Sequence, residues 1–245
     1  MSMSPKQRAI FLTATWENLV MINYEIEPLL LQPYLPRFTE IDTFEGKTLV
    51  SLVGFMFTNT KVFGLHWPLH TTFEEVNLRF YVRHFDGNSW KRGVVFISEI
   101  VPSPIIAVMA NKLYHEPYIA RPMNHFANVE GSILKVGYGW KHKGKWNTLN
   151  VVAEASLNPI VSGSEEEFIF EHYWGYNRYN ASTTIEYGVE HDVWQVHKVL
   201  DYGVGCDFAA VYGSSLASGI NGSPSSVLLA KGSPVIIRKP IFMKE

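Results

Sequence analysis

Polar side chains alternate with apolar ones between residues 73 and 85, where the chain reads FEEVNLRFYVRHF. Successive side chains of a β-strand point to opposite faces. One face of this strand would therefore carry an acid, an amide, two guanidinium groups and a phenol: Glu75, Asn77, Arg79, Tyr81 and Arg83. Inside a barrel this face would form one wall of a polar pocket, in which Glu75 and Arg79 share a charge network. The alternative interpretation is an exposed face with cross-strand ion pairs.

Two other segments contain titratable groups in settings that suit a ligand site. The stretch FIFEHYWGY, residues 168–176, places His172 among large aromatic side chains, where it could act as a general base or pack as a neutral core residue. The run Tyr114-His115-Glu116-Pro117-Tyr118 follows an apolar segment typical of a helix, and its proline predicts a loop. Loops often carry binding and catalytic residues. Glu116 and Tyr118 are therefore candidates, although helix termination by a proline explains the same pattern.

The composition excludes several classes of function. Lys and Arg total 21 against 23 Asp and Glu, so the chain lacks the excess positive charge that binds nucleic acid. The single cysteine, Cys206, excludes an internal disulfide framework and a zinc site built on paired cysteines. No metal-binding, nucleophile-elbow or phosphate-loop motif is present, and no stretch approaches the roughly 20 apolar residues of a membrane-spanning helix. We therefore expect a cytoplasmic protein without metal, cofactor, membrane or nucleic-acid partner.

Strand patterns outnumber helix patterns along the chain. The strand described above, a turn at Asp86-Gly87-Asn88 and a second strand over Arg92–Val101 predict a hairpin. The other predicted strands are Leu19–Ile26, Thr48–Thr58, Ile133–Trp140, Thr148–Ala155, Glu167–Tyr176, Thr183–His191, Ser226–Ala230 and Pro234–Arg238, the last two as a closing hairpin. The predicted helices are Pro28–Leu35, Ile105–Leu113 and Asp207–Ala217. This pattern predicts a mostly β chain: a closed, mostly antiparallel barrel with a few outer helices, as one domain over residues 1–245.

Several longer segments resemble one protein family. They are FEEVNLRFYVR at 73–83, RGVVFISEIVP at 92–102, an A-x-x-L-Y-x-E-P-Y run at 110–118, EFIFEHYWGY at 167–176, EYGVEHDVW at 186–194 and LLAKGSPVIIRKP at 228–240. Together they resemble the DUF2071 (YqjF-like) family over nearly the whole chain. That family is grouped with the acetoacetate decarboxylase-like fold. The resemblance implies a closed, mostly antiparallel barrel with an internal pocket.

The resemblance also implies which chemistry the pocket lacks. Glu75 matches a glutamate that begins a strand in the decarboxylases, and the run from Pro104 to Val108 matches the start of their helix. In the decarboxylases a proline and then two lysines follow that helix, and the first lysine forms the Schiff base. Here Pro117 is followed by Tyr118 and Ile119. A Schiff base needs an amine of lowered pKa, so the resemblance implies the pocket without this reaction.

The residues and the resemblance together favour an enzyme that acts on a small organic acid, such as a keto acid, by acid/base chemistry without a Schiff-base lysine. The expected proton carriers, with Glu75 as the base, are Glu75, Glu99, Glu116 and His172. The expected substrate-binding residues are Asn77, Arg79, Tyr81, Arg92 and Tyr118, with Arg79 or Arg92 holding a carboxylate. The alternative is a non-catalytic barrel that binds a small molecule through its aromatic side chains. A homo-oligomer is compatible with either function.

Overall fold

The computed structural model describes residues 8–67, 70–220 and 222–244. Within these ranges the strands are β1 Ile10–Glu25, β2 Glu40–Ile41, β3 Leu49–Val62, β4 Leu65–His66, β5 Phe73–Phe85, β6 Trp90–Val101, β7 Tyr118–Ala120, β8 Met123–Glu130, β9 Ile133–His142, β10 Lys145–Pro159, β11 Trp174–Arg178, β12 Thr184–His191, β13 Gln195–Gly205, β14 Ser226–Arg238 and β15 Ile241–Met243. The helices are α1 Pro28–Leu31, α2 Pro104–Tyr114, α3 Glu165–Phe170, α4 Phe208–Tyr212 and α5 Ser214–Gly219, with a 3₁₀ turn over Gln32–Tyr34. None of these helices is both long enough and apolar enough to cross a membrane.

Seven strands close into a barrel in the order β12-β11-β6-β5-β3-β1-β14, because β14 pairs back onto β12. Neighbouring strands in this ring are antiparallel except β6 and β11, which run parallel. Strands β13, β10, β9 and β8 continue the same sheet outward from β14. The predicted mostly β, closed and mostly antiparallel barrel is confirmed.

Strand β5 is buried on both faces, which explains why its polar face is not exposed. Val76 and Leu78 belong to a buried apolar cluster that also contains Tyr138 and Trp140 of β9, so the outward extension of the sheet covers this side of the barrel. The alternate side chains, beginning with Glu75, line the barrel interior. The interpretation of an exposed, ion-paired face is therefore wrong for the middle of this strand.

The β5–β6 hairpin brings a second acidic side chain to the interior. In its turn, the Asp86 carboxylate accepts hydrogen bonds from the backbone N–H groups of Asn88 and Ser89, both at 3.0 Å. The resulting register pairs Asn77 with Glu99, and both side chains line the cavity described below. The predicted hairpin is confirmed.

Helix α2 and the loop after it return the chain to the barrel interior. Ser103 caps the helix by accepting a hydrogen bond from a backbone N–H of the first turn. The helix ends at His115, whose φ of 55° is left-handed. Strand β7 then pairs in parallel with β6 and sets Tyr118 beside Glu99. The predicted helix over Ile105–Leu113 is confirmed.

The strand predicted over Glu167–Tyr176 is wrong for its first half. Ser164 accepts a hydrogen bond from the N–H of Glu167 at 3.2 Å, and three acidic residues occupy the first turn of α3. The cap and the favourable charges at the helix N-terminus stabilise α3. Strand β11 begins only at Trp174 and pairs with β12. The alternation of aromatic residues in this segment was therefore not a strand signal.

Two further predictions are wrong because of single glycines. Gly213, with a φ of 93°, separates α4 from α5, so the helix predicted over Asp207–Ala217 is two short helices. Gly232, with a φ of 86°, does not start a hairpin, because the residues on both sides of it pair with β1. A Cβ at position 232 would lie 2.0 Å from the carbonyl oxygen of Trp16. Glycine therefore lets β14 pass through this point as one bent strand.

Strand β1 begins at Ile10, well before the predicted strand over Leu19–Ile26. Its register with β3 shifts between Glu17 and Val20, and Asn18 between them has a φ of 54°. Such a bulge displaces the alternation of side chains by one residue. The earlier half of the strand therefore has no regular pattern in the sequence.

Candidate functional site inside the barrel

The barrel interior holds a cavity of about 140 Å³. It lies between strands β1, β3, β5, β6 and β12 and helix α2. An apolar cavity of about 150 Å³ is large enough to bind benzene, so this cavity can hold a small organic molecule. Its polar lining residues include Glu75, Asn77, Arg79, Glu99, Glu116, Tyr118, His172, Tyr187 and His191. Its aromatic lining residues include Phe11, Trp16, Phe55, Phe57, Phe73, Phe96, Phe170, Trp174 and Trp194.

Three carboxyl groups meet in this cavity. Glu75 accepts hydrogen bonds from Nδ2 of Asn77 at 2.9 Å and from the hydroxyl of Tyr118 at 2.8 Å. Glu116 accepts a hydrogen bond from a tyrosine hydroxyl of β12. Glu99 is 1% exposed, and its Oε2 has no hydrogen-bond partner among the described residues. Two of the carboxyl groups are thus held in place, while the third keeps a free oxygen.

Burial raises the pKa of all three carboxyl groups, because an ionised carboxylate loses its hydration. The pKa of Glu75 rises from 4.5 to about 7, even though hydrogen bonds and the charge of Arg79 favour its ionised form. Burial, with the negative charge of Glu75 as a smaller cause, also raises the pKa of Glu116 to about 7. Burial and the charges of the other two acids raise the pKa of Glu99 well above its ordinary value. Burial and the two neighbouring acids therefore favour the protonated form of Glu99.

Arg79 supplies the positive charge of the cavity. Its Nη2 lies 3.7 Å from Sδ of Met21, and its Nε has no hydrogen-bond partner among the described residues. No lysine and no second arginine lines the cavity in the described ranges. Guanidinium groups bind carboxylates through two parallel hydrogen bonds. The cavity can therefore hold an organic anion, and none of the described residues around it supplies an amine for a Schiff base.

His172 reaches the cavity from a hydrogen-bonded chain behind the wall. Its Nε2 lies 3.3 Å from Oδ2 of Asp42, which also accepts a 2.7 Å hydrogen bond from Nε of Arg92. Although burial opposes it, these two hydrogen bonds hold the pKa of Asp42 below its ordinary value. Burial lowers the pKa of His172 to about 4, so the ring is neutral at neutral pH. Its proton then lies on Nε2, which leaves Nδ1 as an acceptor without a partner among the described residues.

Six buried polar atoms on the cavity wall have no hydrogen-bond partner within the described ranges. They are Trp16 Nε1, Thr60 Oγ1, Asn77 Oδ1, Arg79 Nε, Glu99 Oε2 and His172 Nδ1. A buried polar atom left unpaired costs about 1–3 kcal/mol, and native proteins contain few. Their concentration around one cavity gives its wall both donors and acceptors for a bound molecule. The same ranges contain no cluster of three metal-ligating side chains.

The structure brings together seven of the nine residues predicted from the sequence: Glu75, Asn77, Arg79, Glu99, Glu116, Tyr118 and His172. The other two are not among the described residues that line the cavity. The hydroxyl of Tyr81 lies 2.6 Å from Oγ of Ser51, and its ring packs against His172. Arg92 instead pairs with the buried carboxylate of Asp42. Both side chains lie behind the wall, where Tyr81 packs directly against His172 and Arg92 is linked to His172 through Asp42.

Three residues in or next to this site were not predicted from the sequence: Tyr187, His191 and Asp42. Tyr187 and His191 share one face of β12 with Val189, and all three line the cavity. Their alternation in EYGVEH was the available signal. Asp42 follows a two-residue strand and has no local pattern that points to a site. Only its contacts with His172 and Arg92 give it a role.

The barrel has the acetoacetate decarboxylase-like fold. The acetoacetate decarboxylase of Legionella pneumophila subsp. pneumophila str. Philadelphia 1 superposes with a TM-score of 0.66 at 13% identity, over 96% of this chain and 88% of that one. An acetoacetate decarboxylase-like enzyme from Sphingomonas wittichii RW1 superposes with a TM-score of 0.65 at 10% identity, over 97% and 94% of the two chains. The enduracididine biosynthesis enzyme MppR, complexed with pyruvate, superposes with a TM-score of 0.63 at 10% identity, over 96% and 91%.

Within this fold the sequence defines a narrower group. The model of the DUF2071 family, described as an uncharacterized conserved protein, matches residues 13–234. The chain belongs to the DUF2071 family. The uncharacterized protein YqjF of Bacillus subtilis (strain 168) is 27% identical over 171 residues, which cover 69% of this chain and 66% of that protein, just under two thirds of its length.

Proposed function

We propose that this protein is an enzyme that acts on a small organic acid, including keto acids, by acid/base chemistry without a Schiff-base lysine. The observation that carries the proposal is the set of three buried carboxyl groups that share one cavity with Arg79. Buried acids with pKa values near neutrality are suited to give and take protons at physiological pH. The guanidinium group of Arg79 beside them, whose Nε has no partner among the described residues, suits the carboxylate of a substrate.

The reaction that we propose is proton transfer at the carbon next to a carbonyl group. Arg79 binds the carboxylate of the substrate. Glu75 in its ionised form takes a proton from that carbon, and Glu99 donates its own proton to the carbonyl oxygen. The product is the enol. Glu75 ends protonated and Glu99 ends ionised, so the two acids together hold the same number of protons as before. The pKa of Glu75, about 7, leaves it partly ionised at neutral pH, and the raised pKa of Glu99 favours its protonated form, so both residues suit these roles.

The remaining predicted proton carriers have supporting roles in this proposal. Glu116 is hydrogen-bonded to Tyr187, and burial raises its pKa to about 7, so it can exchange protons with the other two acids. The neutral ring of His172 presents Nδ1 as an acceptor. Asn77 and Tyr118 orient Glu75 through the two hydrogen bonds that they donate. The pyruvate complex of a protein with the same fold supports a keto acid as the substrate class.

The second candidate is a non-catalytic barrel that binds a small molecule. The observation in its favour is the aromatic part of the cavity wall, where rings such as Trp16, Phe57 and Phe73 face the interior. Such a wall binds an apolar ligand without any proton transfer. A ligand that stabilises the protein and is recovered unchanged would support this function.

The experiment that tests the proposed enzyme is deuterium exchange of pyruvate, acetoacetate and phenylpyruvate in D₂O, followed by NMR. Proton abstraction next to the carbonyl group replaces hydrogen with deuterium even when no net product forms. Glu75→Gln should lower the exchange rate about 100-fold or more, as expected for loss of a general base. Glu74→Gln is the matched control, because that carboxyl group bonds His125 outside the cavity. Equal exchange in Glu75→Gln and the wild type would overturn the assignment of Glu75.

We further propose that the protein works in the cytoplasm as one domain over residues 1–245, with a small molecule as its partner and without nucleic acid or membrane. The net charge of −2 and the single cysteine support this proposal. The described long strands all belong to one connected sheet, which supports a single domain. A homo-oligomer is compatible with this arrangement.

A further inference from the structure

The polar and aromatic parts of the cavity wall follow one another along the strand register. The guanidinium group of Arg79 reaches Met21, which lies in the same register row as Asn77. The next row on this face pairs Glu75 with Phe55. Rows on one face are two residues apart, which is roughly 7 Å along a strand.

The row after Glu75 is aromatic on β1, β3 and β5. Trp16, Phe57 and Phe73 are cross-strand neighbours on β1, β3 and β5. The rings of Phe57 and Phe73 stack with their centroids 4.8 Å apart, and Trp16 packs edge-on against Phe55 and Phe57 at 5.3 and 5.8 Å. Aromatic side chains therefore begin one row beyond the guanidinium group and fill the row after it.

We infer that the ligand of this cavity is a carboxylic acid that carries an aromatic ring, such as a 2-oxo acid of the arylpyruvate type, rather than a compact acid such as pyruvate. The inference rests on the proposed function, because it takes Arg79 to bind the carboxylate. In an arylpyruvate the carboxylate and the far side of the ring are about one register row apart. When Arg79 holds the carboxylate, the ring lies against Phe55 and Trp16.

The charges and the apolar surface of the cavity discriminate among three kinds of ligand. A neutral aromatic ligand would contact the rings but would leave Nε of Arg79 unpaired in a buried site, which is costly. A compact anion would pair with Arg79 but would bury none of the aromatic row. An aromatic acid satisfies both parts, because burial of its ring adds the hydrophobic contribution to the charge-assisted hydrogen bonds.

Calorimetric titration of the full chain with three matched compounds tests the inference. Phenylpyruvate carries both groups, pyruvate lacks the ring, and phenylacetone has a methyl group in place of the carboxylate. We expect phenylpyruvate to bind about tenfold or more tighter than pyruvate, because burial of a ring contributes more than one decade of affinity. We also expect phenylpyruvate to bind about tenfold or more tighter than phenylacetone. Arg79→Met should abolish the difference between phenylpyruvate and phenylacetone and keep the difference between phenylpyruvate and pyruvate.

Two variants connect the ring preference to the aromatic row. In Phe55→Trp the larger side chain fills the space of the ligand's ring, so this variant should bind phenylpyruvate more weakly and pyruvate with unchanged affinity. If it does not fold, Phe57→Leu serves the same comparison. Equal affinities of phenylpyruvate and pyruvate in the wild type would overturn the inference and leave the proposed enzyme intact. Binding of phenylacetone alone, with neither acid bound, would overturn both the inference and the proposed function.

Discussion

The residues that define the cavity are three carboxyl groups that share a buried space with one guanidinium group. Burial favours the neutral form of each carboxyl group and so raises its pKa toward the pH at which proton transfer is useful. The same burial makes the ionised forms unfavourable in the folded protein. The stability of the protein must therefore depend on pH through these groups.

The first prediction concerns Glu75 and the free energy of unfolding. Its pKa is about 7 in the folded protein, above the ordinary value of 4.5, so between these pH values the folded state binds more protons than the unfolded state. The free energy of unfolding therefore decreases as the pH rises through this interval. Glu75→Gln should raise it at about pH 8, by up to about 3 kcal/mol, and should flatten the pH dependence.

Urea unfolding at several pH values measures this effect. Glu74→Gln is again the matched control, since Glu74 lies on the same strand, β5, and bonds His125. We expect the control to keep the pH dependence of the wild type. Equal pH slopes for Glu75→Gln and the wild type would show that Glu75 is not the group responsible.

The second prediction concerns the protonation state of His172. Burial lowers its pKa to about 4, so the ring stays neutral in the folded protein at pH values where an unfolded histidine is charged. The contribution of this residue to stability is therefore lost as the pH falls from 6.5 toward 4. Nitrogen–proton NMR correlation at about pH 6 should show the neutral tautomer with its proton on Nε2.

Loss of the signals in His172→Gln assigns them to this residue. The hydrogen bond between Nε2 and Asp42 is the physical reason for the tautomer. A charged ring at about pH 6, or a neutral ring protonated on Nδ1, would contradict the described arrangement.

Among the secondary-structure elements, strand β14 has two tasks. The residues before Gly232 pair with β13, from which the sheet extends outward, and the residues after it pair with β12 and close the barrel. Both halves also pair with β1. The bend at Gly232 therefore connects the cavity-forming ring to the part of the sheet that covers it.

The third prediction separates two costs at this bend. Gly232→Ala should destabilise the protein through its positive φ, by about 1–2 kcal/mol, and through overlap of the new Cβ with the carbonyl oxygen of Trp16, by about 1–3 kcal/mol more. Gly46→Ala is the matched control, because Gly46 has a φ of 81° and no atom within 4 Å of an added Cβ. Urea unfolding of both variants measures the difference. Equal losses of stability would show that the close approach to Trp16 contributes nothing.

Across the whole molecule, a buried ion cluster joins the N-terminal segment to two barrel strands. Glu186 of β12 accepts a 2.5 Å hydrogen bond from Nη2 of Arg8 and lies 3.4 Å from Nζ of Lys91 on β6. Both cations also lie over the ring of Trp174, at 5.2 and 4.4 Å from its centroid. Removal of this carboxylate would break the buried ion pair of Arg8, while Lys91 would keep Asp86, whose Oδ2 lies 3.5 Å from its Nζ.

The fourth prediction follows from this cluster. Glu186→Gln should lower the free energy of unfolding by about 3–5 kcal/mol, the usual cost of breaking a buried ion pair. Glu40→Gln removes a carboxylate from the exposed pair with Arg83 and should cost about 1 kcal/mol or less. Denaturant unfolding compares the two. A similar small loss in both variants would mean that the buried cluster does not stabilise the fold.

The sequence by itself determined the elements whose signals are local. Side-chain alternation predicted β5, turn residues predicted its hairpin with β6, and capping and proline residues predicted α2. The polar face of β5 was visible for the same reason, and the family resemblance favoured Glu75, Asn77 and Arg79 on it as candidate site residues. These features depend on residues a few positions apart, so the chain specifies them before it folds.

Only the tertiary structure decided which face of β5 lies inside, because β9 packs on the opposite face. It also decided that Asp42 supports His172 across 130 residues of sequence and that Arg92 lies behind the wall. The local sequence of β14 likewise predicts two strands, and only the pairing of both halves with β1 shows that it is one strand. The burial of each carboxyl group depends on which distant elements exclude water from it, and its pKa depends on that burial. A local sequence pattern therefore predicts neither the burial nor the pKa.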